Sequence, residues 1–245
     1  MKIYSHLSTG LKTYLELQKP VVKRHPEEGF TIIESLIAMV VITIVVVAIT
    51  PPIFLAVATR VQNQKAEQAM QLAQRQVDKI RILSEKGGYA DSDLPPLPST
   101  SSEATGDASA VGAPTNFSVN PSDCITTPAS SNACPVYLDR AYVDATSTPN
   151  FYLQTFRTKE TRYGTPSQAV AFQMGVRVYA AIAKGQSGLL TGLGSLKFTT
   201  EQGQQRKYPL AVMYTSVVRS DLKDSLTTYK GFLCIGITTS PCPTP

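Results

Sequence analysis

The sequence predicts an α+β chain: one long N-terminal helix, membrane-spanning in its first half and amphipathic in its second, packed on a small antiparallel β-sheet. Three observations predict it. Residues 35–59 run for 25 positions without a charge and are mostly Ile, Val, Ala, Leu and Met. Residues 60–85 then carry apolar side chains at three- and four-residue spacings, the period of a helix with one face in a core. Beyond residue 150, several segments alternate apolar and polar side chains, the period of a half-buried strand.

The first 29 residues hold five basic side chains (Lys2, Lys12, Lys19, Lys23, Arg24), three acidic ones (Glu16, Glu27, Glu28) and both histidines, His6 and His25. They supply +2 of the formal net charge of +5, leaving +3 for the rest. That is a weak case for nucleic acid as a partner. A chain without this segment has no histidine, which removes histidine-dependent base catalysis and most zinc-enzyme sites. With only 17 % charged residues, the composition leans toward a membrane or secreted protein.

At 1.5 Å per residue, a helix over 35–59 would span roughly 38 Å, more than the ~30 Å of a hydrocarbon core. The β-branched stretch 40–47 would suit a strand in water. In lipid the backbone must satisfy its own hydrogen bonds, so helix is expected. A secretory signal fits poorly: Pro26-Glu27-Glu28-Gly29 intervenes, and the run is longer than a signal core. Basic residues ahead of the run place the N-terminus in the cytoplasm and export the remainder. Glu34 stands at the edge of this run. A carboxylate there costs upward of a few kcal/mol unless it is paired, protonated, close to the headgroups or functionally used. Pro51-Pro52 is expected to end or kink the helix, since each proline lacks an N–H donor.

The helix is expected to resume from Ile53. Val61, Ala66, Ala69, Met70, Ala73, Val77 and Ile80 mark one face; Arg60, Gln64, Lys65, Glu67, Gln71, Arg75 and Lys79 mark the other. Gly87-Gly88 stops it. The helical region therefore covers about 30–85, broken near the prolines, with Val77, Ile80 and Leu83 available to pack on a sheet. A free coiled coil is the competing reading, but the heptad is short and rich in alanine. Residues 90–135 are rich in Ser, Thr, Pro, Ala and Gly. Residues 94–98 read as extended, and 99–114 as a loop with little packing capacity, either plain surface or a glycosylated stretch.

Four cysteines allow three connectivities. Local pairing, Cys124 with Cys134 and Cys234 with Cys242, is preferred because both loops are short and Pro/Ser/Thr-rich. Each bridge would add about 2–3 kcal/mol and implies an oxidising compartment. The spacings do not suit zinc.

Strands are expected at 151–157, 170–179, 210–218 and 229–237. In the second, Phe172, Met174, Val176 and Val178 share one face; Gln173, Gly175, Arg177 and Tyr179 share the other, expected to be the wetter one. The Gly-rich stretch 185–195 matches neither a phosphate loop nor a nucleophile elbow at Ser187 and reads as a turn-rich connection.

The segment Gly29-Phe30-Thr31-Ile32-Ile33-Glu34-Ser35-Leu36-Ile37 resembles the prepilin cleavage and methylation motif of type IV pilins and type II secretion pseudopilins. The resemblance is close over about 28–52 and architectural beyond. It implies a membrane peptidase that cuts after Gly29 and methylates Phe30 as the new N-terminus. It implies assembly through Glu34, the fifth mature residue, facing the Phe30 amine of a neighbouring subunit. Pro51 falls where the family's helix melts locally in the filament. Cys234 and Cys242 match, by position, a disulfide that often closes the family's C-terminal region. Two features depart from the common pattern: a leader of 29 residues, and Glu27-Glu28 where basic residues often stand. Some pseudopilins bind calcium, but Asp139, Asp144, Asp221 and Asp224 are not spaced as a calcium loop.

The implied organisation is a cytoplasmic leader (1–29), a transmembrane and filament-core helix (30–58), an amphipathic helix (59–86), a Ser/Thr/Pro-rich region (87–135) and a sheet-bearing head with a C-terminal disulfide loop (136–245). The implied function is that of a minor pilin or pseudopilin, a non-catalytic filament subunit without cofactor or metal. Its partners would be the prepilin peptidase, other subunits, the inner-membrane assembly platform, the lipid bilayer before assembly, and a surface or secreted ligand. It would sit in a bacterial inner membrane with an extracytoplasmic head, and then in a filament. A second reading is a membrane-anchored glycan- or surface-binding module using head tyrosines such as Tyr137, Tyr142, Tyr152, Tyr163 and Tyr179. A third, an exported enzyme, is left with no histidine in the processed chain and no identifiable carboxylate pair.

Overall fold

The computed structural model describes residues 31–126, 128–138, 147–164, 167–194, 206–219, 225–235 and 242. The chain divides into two units, Met1–Phe54 and Leu55–Pro245.

Helix α1 (Ile32–Lys86) is 55 residues long. Its part in the first unit is bare: no described residue there is buried, and the large apolar side chains are 47–87 % exposed. The threonines of this stretch hide their hydroxyls by donating backward, Thr43 Oγ1 to Met39 O at 2.5 Å and Thr50 Oγ1 to Val46 O at 2.6 Å. This backward bonding leaves few polar atoms that require water.

The helix runs through Pro51 and Pro52, so the expected break is not an interruption of the helix. The fixed φ of proline is itself helical; the cost is the two N–H donors that Val47 and Ala48 would otherwise receive. The Thr50 hydroxyl adds a donor one residue earlier, at Val46. At its other end α1 stops at Gly87 and Gly88, with φ of +65° and +71°. A Cβ on Gly87 would also stand 2.6 Å from the Arg219 guanidinium.

In the second unit a five-stranded sheet has the order β1-β2-β3-β4-β5. Its strands are β1 (Asn116–Phe117), β2 (Asn132–Val136), β3 (Phe151–Tyr163), β4 (Gln168–Ala180) and β5 (Ala211–Val218). All neighbours are antiparallel except β1 and β2. Residues 55–86 of α1 lie on one face. Ala69, Ala73, Val77 and Ile80 form a core with Phe172, Met174, Val176 and Val178 of β4, Phe151 and Leu153 of β3, and Val217 of β5. The two buried alanines present only methyl groups to the sheet. Val61 and Met70, expected on the buried stripe, are 45 % and 37 % exposed.

The register fixes both ends of the helix–sheet pair. Near the start of the head helix, Lys65 and Gln68 line one cavity with Phe151, Ala180 and Ile182. Beyond its C-terminus, Tyr89 Oη donates to Ala169 O at 2.5 Å, and Gln168 Nε2 donates to Tyr89 O at 3.2 Å. The helix and β4 are therefore antiparallel.

Three expectations are corrected. First, the Gln173–Tyr179 face of β4 is not wet: Arg177 and Tyr179 are wholly buried. Second, Tyr179 packs with Ala133, Tyr152, Ala183, Phe117 and Leu189, whereas Arg177 is covered by the stretch 99–114, expected to be a loop of little packing capacity. That stretch forms α2 (Ser101–Thr105) and a 3-10 turn (Ala108–Ala110), with α3 (Asp123–Thr126) following beyond it, and it buries Ala108 and Val111 against Phe156. Arg177 makes this possible. Its guanidinium donates to Tyr214 Oη (2.9 Å), Gly112 O (2.9 Å), Gln154 Oε1 (3.3 Å) and Ala108 O (3.3 Å). The Phe156 ring lies 4.9 Å from the guanidinium carbon. A segment poor in apolar groups is thus held through its carbonyls by a desolvated, charged donor.

Third, the segment expected as a strand at 229–237 is helix α4 (Ser225–Cys234) over its described N-terminal part. Tyr229 and Phe232 are three residues apart, so a helix sets them on one face, where their rings stack at 6.2 Å; a strand would have split them.

The cysteines pair as Cys124–Cys134 and Cys234–Cys242. The first joins α3 to β2, a strand that composition had hidden.

Candidate functional site

The candidate site is the start of α1. Gly29 and Phe30 lie outside the described residues. Thr31 is the N-cap: its Oγ1 accepts the Glu34 N–H at 3.3 Å, and its carbonyl accepts the N–H groups of Glu34 (3.0 Å) and Ser35 (3.2 Å). Ser35 Oγ donates to Ile32 O at 2.9 Å. Thr31-x-x-Glu34 has the sequence of a capping box, a signal the sequence reading did not use. Glu34 therefore stands at the third helical position. The aligned peptide dipoles there favour a carboxylate, and the residue is exposed.

This geometry presents an anionic, solvent-facing carboxylate in the first turn of an uncovered apolar helix. Two exposed isoleucines, Ile32 at 87 % and Ile33 at 67 %, flank it. The arrangement can accept a cation delivered from outside the chain while the adjoining surface buries apolar area. The described part of α1 is long and apolar enough to cross a membrane.

The other candidate residues separate. Tyr152 and Tyr179 are buried; Tyr179 Oη donates to Leu190 O at 2.9 Å, and burial pushes its phenol well above the ordinary value. Tyr137 Oη donates to Ser147 O at 3.4 Å, and Tyr163 is 41 % exposed. Tyr142, Asp139, Asp144, Asp221 and Asp224 lie outside the described residues. Among the described residues no three His, Cys, Asp or Glu side chains are placed to hold a metal ion. A polar groove of about 460 Å³ opens on the outer face of the head between Lys159, Tyr214, Ser216, Tyr229 and Phe232. Its two tyrosines, Tyr214 on β5 and Tyr229 on α4, are not those the sequence pointed to. Lys159 sits at a bulge with φ of +50°, which turns its side chain toward Asp107 at 2.6 Å.

Residues 24–50 match a family model described as the prokaryotic N-terminal methylation motif. No curated protein matches the chain, and no solved structure does. The chain thus carries an N-terminal prepilin-type methylation motif and one long apolar helix, consistent with the type IV pilin and pseudopilin superfamily.

Proposed function

We propose that this chain is a structural subunit, a minor pilin or pseudopilin, of a type IV pilus or type II secretion-like filament. Its leader is removed after Gly29, and it assembles through Glu34. The observation that carries this reading is the methylation motif laid over a bare apolar helix with a carboxylate in its first turn. Before cleavage the apolar stretch holds the subunit in the inner membrane, with the head outside. Cleavage by the prepilin peptidase frees the Phe30 amine, which carries a positive charge. The assembly platform then brings a new subunit alongside the growing end. The Glu34 carboxylate pairs with the amine of a neighbour, offsetting the desolvation of both, and the pairing selects one axial offset. Apolar helices leaving lipid for the filament core provide most of the cohesion. The carbonyls of Val47 and Ala48, short of their N–H partners because of Pro51 and Pro52, make this the place where the helix opens most readily on packing. The subunit itself performs no catalysis.

Size and the long Ser/Thr/Pro-rich covering layer favour a minor subunit over a major one. Intact mass and N-terminal sequencing of the protein from its native membrane, with and without the peptidase, test the pathway. A chain beginning at N-methylated Phe30 only when the peptidase is present is expected. An uncut chain beside an active peptidase would reject the assembly scheme and leave a membrane-anchored binding module. Glu34→Gln should be processed normally yet be missing from sheared filaments; full incorporation would remove Glu34 from its role.

A further inference from the structure

The sheet end where α1 begins its packing combines exposed aliphatic side chains with basic ones. Ile182 (40 % exposed), Leu190 (41 %), Leu193 (59 %) and Leu138 (40 %) are large aliphatic side chains left in solvent there. They share that end for structural reasons. Ile182 lies in the 3-10 turn that ends β4. Leu190 and Leu193 sit in the connection held beside the start of β5 by Leu190 N–H to Lys207 O at 2.8 Å and Gly194 N–H to Pro209 O at 3.2 Å. Leu138 follows β2, with its N–H given to Asn150 Oδ1 at 2.9 Å next to the start of β3. Among them stand the exposed bases Lys65, Lys184, Arg206 and Lys207. On the described stretches 65–68, 136–138, 147–151, 180–194 and 206–210, Glu67 is the one acidic side chain.

The helix supplies the depth. Thr59 is the last residue of the uncharged run, and Lys65 is level with Ile182 in the cavity that both line. Six residues of helix separate them, a rise of about 9 Å. The polar layer on each side of a bilayer is about 5–8 Å deep, since about 30 Å of hydrocarbon lies within about 40–45 Å overall. The end of the head that lies closest along the chain to the uncharged run is therefore the aliphatic, basic one. Basic side chains there gain roughly 1 kcal/mol each against an anionic surface, while shallow aliphatic side chains bury apolar area.

We infer that this end of the head is a lipid-docking surface: Ile182, Leu190, Leu193 and Leu138 dip into the interface of an anionic bilayer and Lys65, Lys184, Arg206 and Lys207 pair with its headgroups. The inference rests on the membrane-anchored reading above and adds a second, reversible contact. Docking holds the head down on the membrane until assembly pulls the subunit out, so extraction must break it.

The chain has no tryptophan, so one can be added as a reporter without background. The full chain with Leu193→Trp is reconstituted into vesicles of phosphatidylcholine and phosphatidylglycerol, plain or brominated near the carbonyl end of the acyl chains. Loss of emission in the brominated vesicles is expected. It should disappear in phosphatidylcholine alone and in the background of Lys184→Glu, Arg206→Glu and Lys207→Glu. A Tyr163→Trp reporter, at the opposite end of β3, should stay unquenched. Equal Leu193→Trp emission in plain and brominated vesicles overturns the docking surface, as does equal quenching of both reporters. Flotation of the same samples in high salt separates the two claims. A chain that floats with an unquenched Leu193→Trp reporter refutes docking alone; a chain that does not float refutes the membrane anchor and docking together.

Discussion

Arg177→Met should loosen the outer layer of the head. The guanidinium is wholly buried, is paired with no carboxylate among the described residues, and is held by carbonyls and a phenol. Methionine keeps the length and loses the donors. Gly112 O would still receive Gln154 Nε2, at 3.1 Å. Ala108 O and Gln154 Oε1 would lose the Arg177 donors described above. Two buried acceptors at ~1–3 kcal/mol each, partly offset by no longer desolvating a charge, give a net loss of about 3 kcal/mol. For a head of this size that is a fall of roughly 6–12 °C in melting temperature. Urea unfolding of the full chain in detergent, followed by near-ultraviolet circular dichroism, measures it. Limited proteolysis should show new cleavage between residues 99 and 114. Arg177→Lys should recover little, because one ammonium cannot reach Tyr214, Gly112 and Ala108 together. A variant within about 0.5 kcal/mol of the parent, with unchanged cleavage, would refute the idea that this cation organises the layer.

Gly175→Ala should cost about 1–3 kcal/mol by overpacking, since a Cβ there would stand 2.3 Å from the Phe156 ring; the same unfolding assay reads it. Replacing Cys124 and Cys134 together by serine should lower stability by about 2–3 kcal/mol and expose the start of β2 to protease. Burial raises the phenols of Tyr152 and Tyr179 above their ordinary 10.0. The folded state therefore holds these protons more tightly than the unfolded one. The associated stability is full below pH ~10 and is lost as pH rises past it, so the urea midpoint should fall between pH 8 and 11. Tyr179→Phe should flatten that fall while lowering the midpoint at pH 8, because the bond to Leu190 O is lost. A midpoint independent of pH in the parent would contradict the burial of these phenols.

Much of the molecule was legible from local chemistry. The uncharged run, Gly87-Gly88 and the three- and four-residue spacing of Ala69, Ala73, Val77 and Ile80 express rules that act within a few residues, and the structure uses them in place. β3, β4 and β5 lie over the alternating segments expected as the first three strands. The cap at Thr31 is also written locally, through the carboxylate three residues on.

What escaped depended on partners distant in sequence. Arg177 and Tyr179 alternate like solvent-facing residues; the arrival of residues 108–112 buries the first, and Phe117, Ala133 and Leu189 bury the second, while the carbonyls that satisfy Arg177 are common to every residue and leave no mark in a sequence. β1 and β2 are too short and too polar to announce themselves, and they are strands because β3 offers an edge. Residues 229–234 suit strand or helix by pattern; the segment is a helix whose Phe232 is buried against the head. The sequence by itself determined the apolar helix, its acidic first turn and the helix-facing side of the sheet, because periodicity and desolvation act locally. Only the tertiary structure decided the outer layer, whose segments meet across more than 40 residues of chain, and the aliphatic, basic end of the head, where separate connections meet beside Lys65 and Ile182.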